Sequence, residues 1–280
     1  MMRLNAIYCV KAQGEEMDFK AIEHITEYRL TWDEFTSIPE DQRAAVAVAS
    51  YAVSEINALS RLYLFAVQEM TGNPVIDGAV FIQANVLLRA VSSKVFEFTQ
   101  LINLKDKHNK TNDPIVKKIF SDAEVAFQEL KNREGFQLAQ AIRNEASNHY
   151  RLKPARSNMK GLAEQARLSF CMHRMSGNSY HPLGEEFMFI ARLNRAGQKA
   201  ETKEDKLKLH SEWFEWNIDA VRWVNGVFRE LMKEIVLKKF PSKRAVKVPH
   251  WINPKLVGEV DDHKAPIFLR THNWSRKLAS

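Results

Sequence analysis

Residues 205–239 read DKLKLHSEWFEWNIDAVRWVNGVFRELMKEIVLKK. The segment is rich in large residues: Leu209, Trp213, Trp216, Val221, Trp223, Val224, Val227, Phe228, Leu231 and Ile235. It reads as one long helix, and three tryptophans on one helix make it a core or interface element. A chain built around such a helix is expected to be helical elsewhere, and the preceding segments agree.

Residues of about 40 to 71 carry Val48, Ile56, Leu59, Leu62, Tyr63, Val67 and Met70 mostly three, four or seven apart, a helical stripe. Pro39 falls where a first-turn proline is tolerated, and Gly72-Asn73-Pro74 is read as the stop. A second helix, about 79 to 104, places Val80, Ala84, Leu87, Leu88, Val91, Val95, Phe98 and Leu101 on one face. Asn112-Asp113-Pro114 supplies a cap and a first-turn proline for a third helix, about 114 to 131. A break at 132 to 135, hinged at Gly135, leads to a fourth helix of about 134 to 152, ended by Pro154. Helices are further expected over about 158 to 173 and from Pro182 to about Asn194, separated by a loop at Ser176-Gly177-Asn178-Ser179. Residues 196–204 read as a polar loop. Strand patterning is confined to hints at 2–10 and 245–248, and no internal repeat is visible. The expected fold is therefore an all-α helical bundle over residues 1–240. Residues 241–280 form a basic arm containing Pro249, Pro254 and Pro266, expected to lack regular structure.

Of the 280 residues, 45% are hydrophobic and 27% charged, as in ordinary globular proteins. No window approaches 18 uninterrupted apolar residues, so no membrane span or membrane partner is expected. The first fourteen residues make a poor signal peptide. Cys9 and Cys171 are far apart in sequence and lack CxxC partners, which fits a reducing cytoplasm. The net charge of +7 is concentrated at the C-terminus. Residues 238–280 carry ten Lys/Arg against three Asp/Glu, which leaves residues 1–237 formally neutral. A polyanion such as nucleic acid is one partner for that tail, and a solvated basic end is the other reading.

The densest polar cluster is Arg143-Asn144-Glu145-Ala146-Ser147-Asn148-His149-Tyr150. It directly follows the apolar run Phe136-Gln137-Leu138-Ala139-Gln140-Ala141-Ile142. RNA can be cut without a metal by a base on the 2′-hydroxyl, a cation on the phosphate and an acid at the 5′-oxygen. Histidine suits the proton transfers because its unperturbed pKa, roughly 6.5, lies near operating pH. Arginine suits the charge work because its planar fork matches phosphate oxygens. Asn144 can donate to phosphate or orient His149. On a straight helix Arg143 and His149 diverge by about 120°. Arg143 shares a face with Ser147 and Tyr150, and Glu145 with His149. A two-fold dimer in which each motif contributes to a joint cleft resolves the divergence. The plainer alternative is a surface arginine paired with Glu134 or Glu145 and a histidine stabilised at a helix C-terminus.

The run from Arg143 and Asn144 to His149 resembles the R-x(4–6)-H signature of the HEPN superfamily. The resemblance implies a helical bundle, usually dimeric, and in many members a metal-independent endoribonuclease of toxin–antitoxin, abortive-infection or CRISPR defence systems. The layout looks most like stand-alone abortive-infection proteins. Carried over onto this chain, the resemblance implies catalytic roles for Arg143, Asn144 and His149. Tyr150 directly follows the histidine, whereas one group of HEPN toxins places tyrosine two positions after it.

Arg89, Glu97 and Asn85 interrupt the apolar second helix and are candidates to support the motif, unless that flank simply faces solvent. Glu145, Ser147 and Tyr150 are further supporting candidates. Cys171-Met172-His173 with His181 is too loose for a zinc site, and no metal or cofactor is expected. Walker, GxGxxG, HExxH and GxSxG signatures are absent, which removes the usual marks of nucleotide hydrolysis, dinucleotide binding, zinc proteolysis and α/β-hydrolase chemistry. His250, Trp251, Phe268, His272 and Trp274 lie among basic residues and can stack bases or anchor the arm on the bundle. Two functions compete: an endoribonuclease acting as toxin or antiviral effector, with RNA, a second copy and an antitoxin or regulator as partners; and a non-catalytic helical module binding RNA or protein.

Overall fold

The computed structural model describes residues 20–22, 28–67, 71–146, 152–174, 178–242 and 250–252. An all-α bundle is observed. Its helices are α1 (Trp32–Thr36), α2 (Glu40–Ala66), α3 (Pro74–Leu101), α4 (Pro114–Lys131), α5 (Phe136–Ala146), α6 (Leu152–Asn158), α7 (Pro182–Glu185), α8 (Ala191–Arg195) and α9 (Lys203–Leu231). A π-helical segment, Glu186–Ile190, joins α7 to α8, and another, Met232–Leu237, prolongs α9. The chain divides into two compact units, and the nine helices of the described residues lie in the one that includes Leu30–Pro241. The other contains a small antiparallel ribbon of β1 (Lys20–Ile22) and β2 (His250–Ile252), with Ala21 opposite Trp251. Residues 250–252 of the basic arm are thus a strand rather than irregular chain. The strand hints at 2–10 and 245–248 lie outside the described residues.

α9 is the axis of the core. Trp213, Trp216, Ala220, Val224, Val227 and Leu231 recur at steps of three and four and are all buried. Each of its indoles finds an acceptor on a neighbouring helix. Trp213 Nε1 donates to Ser92 Oγ of α3 at 2.8 Å, Trp216 Nε1 to the Leu130 carbonyl of α4 at 3.1 Å, and Trp223 Nε1 to the Ala123 carbonyl at 3.1 Å. Burying an indole N–H without a partner would cost about 1–3 kcal/mol, so these bonds fix how α9 is rotated against α3 and α4. Ser92 Oγ donates onward to Asn217 Oδ1 at 2.9 Å, which closes a fully buried polar link within the aromatic core.

Several boundaries differ from the sequence expectation. Asn73-Pro74 does not end α2; it begins α3. Asn73 Oδ1 accepts from Val75 N (2.9 Å) and Ile76 N (3.4 Å), and Pro74 occupies the first turn, where no amide is needed. α2 has already ended at Ala66. α9 starts earlier than expected because Thr202 and Asp205 form a capping box. Lys153 and Pro154 are helical, since they fall in the first turn of α6, where a proline costs nothing. The helix expected over 158–173 is cut short at Gly161. A β-carbon there would sit 2.0 Å from the Ala191 carbonyl oxygen, and Asn194 Nδ2 donates to the Gly161 carbonyl at 3.0 Å. This close approach to α8 replaces the helix with irregular chain up to the Cys171–Tyr180 bridge. The short α1, unanticipated, carries its own capping box in Thr31 and Glu34.

α3 is long and apolar enough, by length and composition, to cross a membrane. In this fold it packs against α2, α5 and α9, with Ala79, Ala84, Leu88, Val91, Val95, Phe96 and Phe98 buried.

Candidate functional site

The turn between α4 and α5 sets the position of Arg143. Gly135 adopts φ +83°, the left-handed region that favours glycine, and lies against α9. Arg133 pairs with Asp219 of α9 beside it. From this anchor α5 buries Phe136, Leu138, Ala139 and Ile142, so one face is fixed in the core. Arg143, the next residue, emerges at the edge of that face. Its guanidinium lies over the ring of Phe96, 5.4 Å from the centroid. Phe96 stacks on Trp216 at 5.7 Å and 20°. Lys131 repeats the arrangement at the end of α4, its ammonium 5.5 Å from the Phe127 centroid. Phe127 in turn packs on Trp223 at 4.9 Å. Two cations are therefore laid on aromatic faces that belong to the rigid core.

Both line one cavity of about 330 Å³, at the lower end of the size range of small-ligand pockets, about 300–1,000 Å³. Lys105, Thr99, Gln100, Asn103, Gln128 and Gln140 face it as well, and Glu124 is its acid. Among the described residues the lining offers three cations, four amides and a hydroxyl against one carboxylate, a composition suited to an anion with hydrogen-bonding edges. Lys105, Lys131, Gln128 and Gln140 were not singled out from sequence. Nothing in their spacing links them, because they come from three different elements.

Asn144 and Glu145 belong to the backbone of α5. Their side chains, and the whole of Ser147, His149 and Tyr150, lie outside the described residues, as do Phe268, His272 and Trp274 and the side chains of His250 and Trp251. The divergence of Arg143 and His149 expected for a straight helix likewise falls outside them.

Arg89 and Glu97 do not act together. Glu97 is on the surface, its carboxylate 2.9 Å from Lys94 Nζ. Arg89 is half-buried in an ion pair with Glu185 of α7, at 2.8 and 3.3 Å, and stacks on Phe189 at 4.8 Å. Asn85, buried, extends the cluster. Its Nδ2 donates to Glu185 Oε1 at 3.0 Å, so its Oδ1 accepts from His210 Nδ1 at 3.1 Å. His210 Nε2 must then be the acceptor facing the Tyr63 hydroxyl at 3.1 Å. One directed chain runs from Tyr63 on α2 through His210 on α9 and Asn85 on α3 to the Glu185–Arg89 pair. Phe81, Trp213 and Tyr63 surround the imidazole, and the cavity beside it, about 10 Å³, holds one water at most. The cluster is a closed structural network with no room for a substrate.

Burial pushes the His210 pKa below its ordinary 6.5 and raises that of Tyr63. Lys206, which pairs with Glu186 at 2.7 Å, lines the same small cavity and adds a cation on that side. Between pH 6.5 and the lower folded value the unfolded chain binds the imidazole proton and the folded one does not. Stability therefore falls as pH is lowered through 6.5. We expect the unfolding free energy of the wild type, read from urea titrations, to drop on acidification from about pH 7.5 to 5.5, by no more than about 1.4 kcal/mol per pH unit from this group. A His210→Gln protein should show a flatter profile over the same window. Parallel profiles for the two proteins would exclude His210 as the source.

Among the described residues no three His, Cys, Asp or Glu side chains gather as a metal site. Cys171 lies in the bridge to Tyr180, and His181 packs on Phe170 at 5.9 Å. No family model, curated protein or solved structure matches this chain.

Proposed function

We propose that the cavity beside Arg143 binds RNA and that the chain cuts it without a metal, by attack of the 2′-hydroxyl. The observation that carries this reading is the placement of Arg143. It stands at the outer end of a buried helix, held on Phe96, in a cavity that Lys105 and Lys131 also line. A guanidinium ordered by the core loses little freedom on meeting a phosphate. The R-x5-H spacing places His149 six residues further on. His149 takes the 2′-hydroxyl proton, and the 2′-oxygen forms its bond to phosphorus. Arg143 balances the added charge on the phosphoryl oxygens, and Asn144 orients. The bond to the 5′-oxygen breaks, and that oxygen receives a proton from the corresponding imidazolium of a second copy. The products are a 2′,3′-cyclic phosphate and a 5′-hydroxyl. Resemblance of the motif to HEPN proteins supports a role as toxin or antiviral effector in the cytoplasm, held in check by an antitoxin or regulatory partner.

The purified protein is expected to cleave single-stranded RNA in EDTA and to leave cyclic-phosphate ends. RNA that is bound but never cut would favour the non-catalytic module instead, and cleavage abolished by EDTA would overturn the metal-independent chemistry.

A further inference from the structure

The lining of the Arg143 cavity contains a carboxylate that a plain phosphate site would exclude. Glu124, half-buried on α4, faces the same space as Lys105, Lys131 and Arg143. A negative charge there opposes a phosphate, unless it accepts hydrogen bonds from another part of the same ligand. Among the described residues the Glu124 side chain has no ion pair or hydrogen bond. Asp122, two residues earlier on the same helix, is by contrast held by Lys118 at 2.6 Å. The difference lies in the core rings. Phe127 takes the Lys131 ammonium, at 5.5 Å, and Phe96 the Arg143 guanidinium, at 5.4 Å. Both cations are drawn onto aromatic faces, and the carboxylate keeps two oxygens as acceptors.

The groups that follow it are ordered. Glu124, Gln128 and Lys131 come at steps of four and three, so they share one face of α4 over about 10 Å. Along that face an acceptor is followed by an amide and then by a cation. The Gln128 amide also makes no hydrogen bond among the described residues. The Watson–Crick edges of the four bases differ in what they offer such a row. Guanine places two donors side by side, N1–H and the N2 amino group, and then the O6 acceptor. Adenine and cytosine set a single amino donor beside a ring-nitrogen acceptor, and uracil sets one N–H between two carbonyls. Only guanine gives both carboxylate oxygens a donor and offers an acceptor to the amide one turn further on.

We infer that the cavity reads guanine. Glu124 accepts from the N1–H and N2–H of the base, Gln128 donates to its O6, and Arg143 and Lys131 hold the adjoining phosphate. This rests on the reading of the cavity as the RNA site, and it holds whether or not the RNA is cut there. The edge in question is open only in an unpaired base, so the ligand is single-stranded RNA with a guanine next to the bound phosphate. A base without the two donors leaves the Glu124 carboxylate facing an acceptor, and that mismatch rejects it.

The test compares bases on one phosphate. The full chain is titrated by calorimetry with the 3′- and 5′-monophosphates of guanosine, inosine, adenosine and cytidine. In parallel it is titrated by fluorescence anisotropy with single-stranded 2′-O-methyl oligonucleotides that differ at one base and have no attacking hydroxyl. Guanine should be preferred over adenine by roughly ten- to a hundredfold in Kd, the discrimination of one good bidentate pair. Inosine keeps N1–H and lacks the N2 amino group, so it should fall between them. Glu124→Gln separates base reading from mere charge, and should melt as the wild type because it breaks no bond among the described residues. A carboxamide sets an acceptor beside a donor, the complement of adenine, so the variant should lose the preference for guanine and favour adenine. If the carboxylate acts through its charge alone, the variant binds every nucleotide more tightly and the order of the bases stays the same, which overturns the inference. So does a wild type that ignores the base, or a preference shown by the free monophosphates and missing from the oligonucleotides. Guanine-selective binding by a protein that cuts no RNA upholds the inference and overturns the cleavage. RNA cut without regard to base does the reverse.

Discussion

Arg143→Ala is expected to reduce RNA cleavage by about 10²–10³-fold, the cost of removing one preorganised donor to a developing phosphoryl charge. Its melting temperature should stay within a few degrees of the wild type. The ring beneath the guanidinium remains packed on Trp216, and an exposed-edge cation on an aromatic face is worth only about 0.5–1 kcal/mol. Arg143→Lys should recover part of the binding and little of the rate, because an ammonium lacks the bidentate fork. His149→Ala should abolish cleavage while leaving RNA affinity nearly intact, which separates proton transfer from phosphate holding. Lys131→Ala, by contrast, should weaken binding with little change in the rate at saturating RNA, and should reduce the salt dependence of binding by about one phosphate. Cleavage by Arg143→Ala at the wild-type rate would sink the assignment.

The second large effect is expected at Gly135. A β-carbon there would lie 2.3 Å from the Glu212 carbonyl oxygen and 2.9 Å from Trp216 Cβ, both fixed parts of α9. Gly135→Ala also forces a side chain into a left-handed backbone, at about 1–2 kcal/mol. With about 1–3 kcal/mol for the steric displacement, the variant should lose roughly 2–4 kcal/mol of stability, read as a fall in the urea midpoint. Because the same turn sets α5 on α9, the Arg143 cavity should be disturbed too. Cleavage by Gly135→Ala should fall even at temperatures where the chain remains folded. A fully stable Gly135→Ala protein would mean that α5 does not rest on α9 as described.

How far these features could be seen in advance depended on their range. α4 was legible to the residue, because Asp113-Pro114 is a local start signal that nothing overrides. Asn73-Pro74 carries the same chemistry. Its neighbour Gly72 suggested an ending instead, and only the observed bonds from Val75 and Ile76 decide between the two. Gly135 was visible as a hinge from its residue type. That it is required there follows from Glu212, seventy-seven positions later. The early end of the segment after Asn158 comes from contact with α8, which no local pattern reveals. At the site, Arg143 stood out by composition, and Asn85 and Arg89 stood out as polar breaks in an apolar helix. Their partners did not. Glu185 and His210 are ordinary residues in their own segments and acquire meaning only when α3, α7 and α9 meet. Lys105 and Lys131 joined Arg143 for the same reason.

The tryptophan-lined helix α9 also bears on biosynthesis. The rings of Phe96, Phe127 and Phe136 find their stacking partners in Trp216 and Trp223, and Ser92 finds its donor in Trp213. Those partners are translated some eighty residues or more after Phe136. While the ribosome is still working through the intervening segment, α3, α4 and α5 have emerged with their shared apolar surface uncovered. The nascent chain is therefore expected to need protection from aggregation until α9 has left the exit tunnel. A premature stop between α5 and α9 is expected to yield an aggregation-prone product rather than a smaller folded one, read as loss of the truncated chain from the soluble fraction.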